Sequence, residues 1–271
     1  KDICVVLAND VAVALADHIP GNEENFVNMM NEKAKTLGME NTHFMNAHGI
    51  DEDGHYTTAK DIAIMSRELI INHPDILKYT SIWMDTLRNG EFTLSNTNKL
   101  IKTYEGATGL KTGSTSQALF NLVSTATRNG TTYLAVVMRA PTSAIRAEES
   151  TQLLNYGFSN YEVEKIFEKG SLIDEIKIEK SINNMADIVI KDECTILKNK
   201  GEKIEVDKKI EYNENLVAPL EENEVVGKVQ IINKATNEVI DEKELIVKNK
   251  VDKSTFKDFF IKFGKSYLLH N

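Results

Sequence analysis

Lys111, in the run Leu110-Lys111-Thr112-Gly113-Ser114-Thr115, is the residue of this chain best suited to polar chemistry. A lysine ammonium is a compact cation that attracts a carboxylate. Gly113 has no Cβ, so a bound chain can lie close against the backbone there. If the run is a strand, Thr112, Gly113, Ser114 and Thr115 form an edge on which an extended peptide adds as a further strand. Alone, Lys-Thr-Gly also fits a surface turn with a solvated lysine. The flanking elements separate the two readings.

Those elements read as a small sheet with a helix behind it. The glycine-punctuated Tyr104-Glu105-Gly106-Ala107-Thr108-Gly109 leads in. Two β-rich runs follow, Phe120 to Thr127 and Thr131 to Met138, joined through Asn129-Gly130, a strong hairpin signal. Ser143 is then placed as an N-cap, with Ile145, Glu149, Leu153 and Leu154 at helical spacing. Upstream, residues 1–18 read as one helix. Asn22 caps a second helix that stops at Gly38, and Thr57 or Thr58 with Asp61 forms a capping box for a third, which His73-Pro74 ends. Trp83 to Leu87 and Phe92 to Leu94, around Asn89-Gly90, read as a second hairpin.

Several stretches, in order, resemble the D-alanyl-D-alanine carboxypeptidases, the low-molecular-mass penicillin-binding proteins. They include Ala8-Asn9-Asp10-Val11-Ala12, Met30-Asn31-Glu32-Lys33-Ala34, Asn41-Thr42-His43-Phe44, Asn46-Ala47-His48-Gly49-Ile50, Tyr56-Thr57-Thr58-Ala59-Lys60-Asp61, Gly109-Leu110-Lys111-Thr112-Gly113 and Ala140-Pro141-Thr142-Ser143. The resemblance covers roughly residues 1–160. It implies an α/β (α+β) domain of the penicillin-binding and serine β-lactamase type, followed by a small all-β domain and a C-terminal amphipathic helix. It implies a penicillin-sensitive serine peptidase that removes the terminal D-alanine of peptidoglycan stem peptides through an acyl-enzyme. Stem peptides ending in D-Ala-D-Ala and β-lactam antibiotics are the implied ligands, with no cofactor. By resemblance, Lys111 binds the terminal carboxylate and steadies the proton network. Asn9 hydrogen-bonds the substrate amide, a backbone N–H at Ser114 or Thr115 is an oxyanion donor, and Arg146 stands near the carboxylate pocket. Arg146 also fits a helix-surface contact with Glu149 or Ser150, and Asn9 a cap or turn.

The chain departs from the family pattern at two places. No Ser-x-x-Lys precedes Asn9, and the second motif, Ser-x-Asn in the family, reads Leu7-Ala8-Asn9. Leucine neither relays a proton nor donates a hydrogen bond. Ser254-Thr255-Phe256-Lys257 fits Ser-x-x-Lys but lies in the C-terminal stretch. Serine acyl transfer needs a nucleophile, a base and an oxyanion site. The leading expectation is a fragment whose preceding part carries the nucleophile. The alternatives are an inactive stem-peptide-binding scaffold at the membrane surface and a site completed by a second polypeptide.

The net charge of −9 over 271 residues argues against nucleic-acid binding. Cys4 and Cys194 suggest no disulfide framework and read as buried small residues. His43, His48 and His55 match no zinc spacing, and Asp51-Glu52-Asp53-Gly54 lacks the later ligands of a calcium loop, so no metal is expected. Domains are expected at 1–161, 162–248 and 249–271. Within the second, short alternating runs at Leu172 to Ile178, Ala186 to Ile190, Thr195 to Leu197, Ile204 to Ile210, Val225 to Ile232 and Val239 to Val247 suggest a sandwich or barrel. In the third, Phe256, Phe259, Phe260, Phe263 and Tyr267 line one helical face, with Lys253, Lys257, Lys262 and Lys265 mainly elsewhere. That pattern fits a membrane-surface contact through residues 253–268, peripheral on the outer, extracytoplasmic face of a bacterial cytoplasmic membrane, or a helix docked on the protein itself.

Overall fold

The computed structural model describes residues 2–6, 8–87, 90–182 and 185–258. The chain divides into two compact units, Lys1–Asn160 and Tyr161–Asn271.

Unit one opens with helices α1 (Asp2–Val6), α2 (Asn9–His18), α3 (Glu23–Thr36), α4 (Ala59–Asn72) and α5 (Leu77–Thr80). The single helix expected over 1–18 is therefore two. Ala8 takes an extended backbone (φ −69°, ψ 94°) and, as alanine, has no side-chain oxygen to cap α2. The other starts follow cap chemistry. Asn22 accepts from the Asn25 N–H at 2.8 Å and Thr58 from the Asp61 N–H at 3.1 Å. Gly38, at φ 75°, follows the end of α3 in the left-handed conformation that glycine adopts without a Cβ penalty.

A hairpin of β1 (Met84–Leu87) and β2 (Phe92–Ser95) and the short α6 (Leu100–Thr103) lead into the sheet. Its strands are β3 (Ala107–Thr115), β4 (Leu119–Arg128) and β5 (Thr131–Ala140), paired antiparallel with β4 in the middle, so β3 is an edge. Asn129 and Gly130 both have positive φ, 51° and 79°, as a two-residue type I′ turn demands. Helix α7 (Ser143–Asn160) follows. Its cap is Thr142 rather than Ser143: the Thr142 hydroxyl accepts from the Ile145 N–H at 3.2 Å, and Ser143 is already helical.

One face of the sheet packs on α7. Leu122, Ala126 and Ala135 meet Leu154, with Leu100 and Tyr104 closing the cluster. A fully buried leucine contributes about 1.5–3 kcal/mol, so this layer fixes β4 on α7. Gly157 allows close approach: a Cβ there would lie 3.1 Å from the Tyr133 ring.

Unit two is all β. β6 (Tyr161–Phe167) pairs with β9 (Cys194–Asn199). β7 (Leu172–Lys177), β8 (Met185–Ile190), β10 (Val206–Tyr212), β11 (Val225–Asn233) and β12 (Val239–Val247) form a sheet in the order β10-β11-β12-β8-β7. Ile188, Ile190, Cys194, Val229, Ile231, Leu245 and Val247 build its core. The strand β6 is absent from the sequence reading, because its alternation of Val163 with Glu162 and Glu164 is short and directly continues α7. The amphipathic helix expected from Phe256 to Tyr267 lies for the most part outside the described residues.

Candidate functional site

Strand β3 is braced from behind by buried amides. Asn98 donates to the Gly109 carbonyl at 2.9 Å and accepts from the Leu100 N–H at 3.1 Å. Asn96 accepts from the Asn98 N–H at 2.9 Å and donates to the Ile82 carbonyl at 2.8 Å. An amide carries both donors and an acceptor, so it can satisfy irregular backbone on two sides at once. The Thr80 hydroxyl donates to the Thr108 carbonyl at 2.8 Å. Gly109 leaves the room for it, since a Cβ there would sit 2.8 Å from the Thr80 hydroxyl oxygen. The Thr112 and Thr97 hydroxyls lie 2.5 Å apart.

The far end of β3 is held by Asp51. Its carboxylate accepts from the Thr115 hydroxyl at 2.5 Å, the Ser116 hydroxyl at 3.2 Å and the Gln117 N–H at 3.2 Å. The Thr115 bond, with the Gln117 and Ser116 bonds, holds the Asp51 carboxyl below its ordinary range.

Between these anchors Lys111 faces a cavity of 530 Å³ on the α4 side of the sheet, lined also by Cys4, Ser66, Leu69, Gly113 and Asn121. Its ammonium donates to the Thr112 carbonyl at 2.8 Å and makes no ion pair among the described residues. Burial pushes its pKa down to about 8; the Arg146 charge acts in the same direction and Cys4 against it. Arg146, on α7, is only 8% exposed. Its Nη1 donates at 3.2 Å to the carbonyl of Asn121, the residue paired with Gly113 across the sheet. Its Nε is buried without a hydrogen-bond partner among the described residues, and burial lowers its pKa too. Arg146 does not line the Lys111 cavity but acts on Lys111 through its charge, and neither cation has a carboxylate partner among the described residues, an arrangement that favours an anion.

Gly113 adds a spatial observation. A Cβ there would meet nothing within 4 Å, and its φ is an ordinary one. Neither packing nor backbone conformation among the described residues calls for glycine at 113, so the strand surface in front of it stands open.

Of the residues singled out from sequence, Lys111, Thr112 and Gly113 share the cavity wall, and Ser114 is exposed one step on. Thr112 is buried and its hydroxyl is engaged with Thr97; that of Thr115 is engaged with Asp51. Arg146 does not pair with Glu149. The Ser150 hydroxyl donates to the Arg146 carbonyl at 2.8 Å, a helix contact, while the guanidinium turns inward. Asn9 is exposed at the start of α2, and the described lining of the Lys111 cavity holds Cys4 but not Asn9. Leu7 lies outside the described residues. Cys194 is fully buried, but Cys4 is only half-buried.

His43, His48 and His55 tie down a loop. Nδ1 of His48 accepts from the Ile50 N–H at 3.2 Å and Nδ1 of His55 from the Met45 N–H at 3.3 Å. No group of His, Cys, Asp and Glu among the described residues is arranged to hold a metal.

Asp51, Asn96, Asn98 and Asn121 escaped the sequence reading. The signal for two of them was present in Ser95-Asn96-Thr97-Asn98, a polar run directly after a strand. Asn121 and Asp51 act across 18 and 64 or more positions of chain, respectively, which no local pattern reveals.

Residues 1–142 match the family model described as D-alanyl-D-alanine carboxypeptidase, and residues 161–253 that of the penicillin-binding protein 5 C-terminal domain. The chain is 36% identical over 263 residues to D-alanyl-D-alanine carboxypeptidase DacF of Bacillus subtilis, covering 96% of this chain and 67% of that protein. Penicillin-binding protein 5 of Haemophilus influenzae superposes with a TM-score of 0.71 at 36% identity, covering 93% of this chain and 73% of that one. Penicillin-binding protein D2 of Listeria monocytogenes in its ampicillin-bound form superposes with a TM-score of 0.54 at 36% identity, covering 58% of this chain and 65% of that one. The chain spans 58% to 67% of the length of the first curated relatives.

Proposed function

The chain belongs to the D-alanyl-D-alanine carboxypeptidase family, with a fold of the penicillin-binding protein 5 type, and on that premise we propose that Lys111 and Arg146 bind the terminal carboxylate of stem peptides ending in D-Ala-D-Ala. The observation that carries this reading is the pair of poorly solvated cations, Arg146 buried and Lys111 half-buried, without an acidic partner among the described residues, beside an open strand surface at Gly113. A carboxylate restores charge balance to Lys111 and Arg146, and the peptide behind it pairs with the free edge of β3. A β-lactam offers a carboxylate and an amide in similar relation, so it is the expected competitor.

Removal of the terminal D-alanine requires a nucleophile and a base at the same place. Lys111, with its pKa lowered to about 8, is suited to a proton network as well as to anion binding. In this reading a serine attacks the penultimate carbonyl, D-alanine leaves with a proton from the network, and water hydrolyses the ester. Ser66 lines the Lys111 cavity but is 3% exposed and has Leu69 rather than a lysine three positions on. Ser254, the one serine in a Ser-x-x-Lys run, has its hydroxyl donated to the Lys180 carbonyl at 3.0 Å. A second reading therefore stands beside the first, favoured by Leu7 in the second motif: a non-catalytic stem-peptide binder.

One experiment separates them. The protein isolated from cells is incubated with benzylpenicillin and weighed intact. A penicilloyl adduct, absent from Lys111→Ala, supports the carboxypeptidase. No adduct, with retained binding of D-Ala-D-Ala peptides, leaves the binder. Neither adduct nor binding overturns both.

A further inference from the structure

The turn between β3 and β4 has a conformation that its own residues do not favour. Thr115 pairs with Leu119, which leaves Ser116, Gln117 and Ala118 as the loop. Hairpin loops of three residues rejoin the strand through a left-handed residue, ordinarily glycine. Here that residue is Leu119, at φ 53°. A bulky aliphatic residue is strained in this region and stays there only where its surroundings over-determine it.

Two side chains do so, one from β4 and one from a distant loop. On β4, Asn121 stands opposite a bulge, with Val137 paired to Leu122 and Ala140 to Phe120, so that Met138 and Arg139 together face it. Its Nδ2 donates to the Ala118 and Leu119 carbonyls at 3.1 and 3.2 Å, and its Oδ1 accepts from the Arg139 N–H at 2.8 Å. From the loop between α3 and α4, Asp51 takes the rest of the turn. One carboxylate oxygen accepts from the Thr115 hydroxyl, the other from the Ser116 hydroxyl and the Gln117 N–H. The Thr115 hydroxyl in turn accepts from the Ala118 N–H at 2.9 Å. The Gln117 and Ala118 amides are thus tied to Asp51, one directly and one through Thr115. Hydrogen bonds to a carboxylate are charge-assisted, roughly twice as strong as neutral ones.

Asp51 is itself held still. Asn46, which is 6% exposed, donates to the Ile50 carbonyl at 3.0 Å and to the Glu52 carboxylate at 2.8 Å, so both chain neighbours of Asp51 are pinned. The Asn46 Oδ1 accepts from the Gly49 N–H at 2.7 Å. A carboxylate fixed on one segment and bonded to three groups of another is a clamp. Strand β3 depends on one, because it pairs only with β4 among the described residues and its other edge is the free one. Ser114 and Thr115 stand directly before the turn, so a relaxed turn moves that edge.

We propose that Asp51 is a positioning residue for peptide binding: it keeps the β3–β4 turn in the conformation that strains Leu119, and so fixes the end of the β3 edge on which a peptide pairs. The inference rests on the proposed role of Lys111 and β3.

The test is calorimetry of a peptide ending in D-Ala-D-Ala on the full chain and its variants, each at a temperature where it is folded. Asp51→Ala is expected to weaken binding about tenfold, the share of one charge-assisted bond. Asp51→Asn keeps one acceptor for Thr115, gives up the bonds of the second oxygen, and should fall between. Leu119→Gly should bind as the native protein does, since glycine accepts φ 53° freely. Combined with Asp51→Ala, it should restore affinity to within about threefold of native, because a turn without strain needs no clamp. A residue that served only the stability of the fold would lower the melting temperature and leave the affinity of the folded protein unchanged. Native affinity in both Asp51 variants, or a loss that Leu119→Gly does not repair, overturns the inference while the Lys111 reading stands. Failure of the native protein to bind the peptide overturns that reading and the inference with it.

Discussion

Lys111 and Arg146 repel one another: loss of solvent, with the Arg146 charge acting in the same direction and Cys4 against it, brings the Lys111 pKa down to about 8. Below that pH Lys111 is charged and holds an anion; above it the charge is lost. The affinity of a D-Ala-D-Ala peptide should therefore fall as pH rises through 8, by up to about tenfold per unit. A titration of affinity between pH 6 and 10 checks this. A flat profile would remove Lys111 from the carboxylate site.

The same lysine bears on stability with a definite sign. Its folded pKa lies below the unfolded value of 10.5, so the unfolded chain binds more protons between about pH 8 and 10.5, and stability rises with pH across that window. Below pH 8 the half-buried charge is a standing cost. Lys111→Met should thus raise the melting temperature at pH 7 by about 2–4 °C for each kcal/mol relieved. The gain should shrink at pH 10, where native Lys111 has shed its proton. Thermal unfolding at the two pH values gives the comparison.

Gly109 and Gly113 sit four positions apart on β3 and should respond oppositely to alanine. A Cβ at 109 would come within 2.8 Å of the Thr80 hydroxyl oxygen, which is committed to Thr108. Gly109→Ala should cost about 1–3 kcal/mol of stability through overpacking. A Cβ at 113 meets open space. Gly113→Ala should leave unfolding within about 0.5 kcal/mol of the native protein yet weaken peptide binding at least about tenfold, because the methyl stands where the ligand backbone approaches. Parallel melting and binding curves decide it; equal binding by both proteins would show that the ligand lies elsewhere.

Much of this arrangement was legible in the sequence where the cause is local. Asn22 and Thr58 cap helices because a side-chain oxygen three residues from an open N–H is a sufficient cause. Asn129-Gly130 turns because both residues tolerate positive φ. Lys111 was found because motif and strand coincide. What escaped depends on distant chain. Arg146 was named by resemblance, but the contact with Asn121, 25 positions away, that turns its guanidinium inward is not announced by Ala144-Ile145-Arg146-Ala147. The bulge at Arg139 is invisible to a reading that expects uninterrupted alternation from Thr131 to Met138. The break between α1 and α2 was missed because alanine at position 8 carries high helix propensity, which the local backbone overrides.

Asn98 shows how a buried amide can matter more than its pattern suggests. It is 2% exposed and serves Gly109, Asn96 and Leu100 at once. Asn98→Ala would strand the Gly109 carbonyl and the Leu100 N–H away from water. Each such loss costs about 1–3 kcal/mol, so the variant should melt well below the native protein and lose peptide binding with it, since Gly109 leads directly to Lys111. Asn98→Asp keeps the acceptor for Leu100 and loses the donor to Gly109, and should fall between the two. If Asn98→Ala binds peptide normally at a temperature where it is folded, the brace does not govern the site.

Residues 253–268 carry the remaining proposal, peripheral attachment to an anionic membrane surface. Phe256, the first of the aromatic face, is 80% exposed. Lys253, Lys257, Lys262 and Lys265 give the stretch a positive charge within a chain of net −9. Each lysine near an anionic bilayer contributes about 1 kcal/mol, and salt screens that attraction over a Debye length of about 8 Å at physiological strength. The protein should co-sediment with vesicles containing phosphatidylglycerol, less at 0.5 M salt and not at all once truncated after Asp252. Vesicles of neutral lipid should retain only the aromatic contribution. If the stretch instead docks on the protein itself, truncation lowers the melting temperature and no vesicle captures either form.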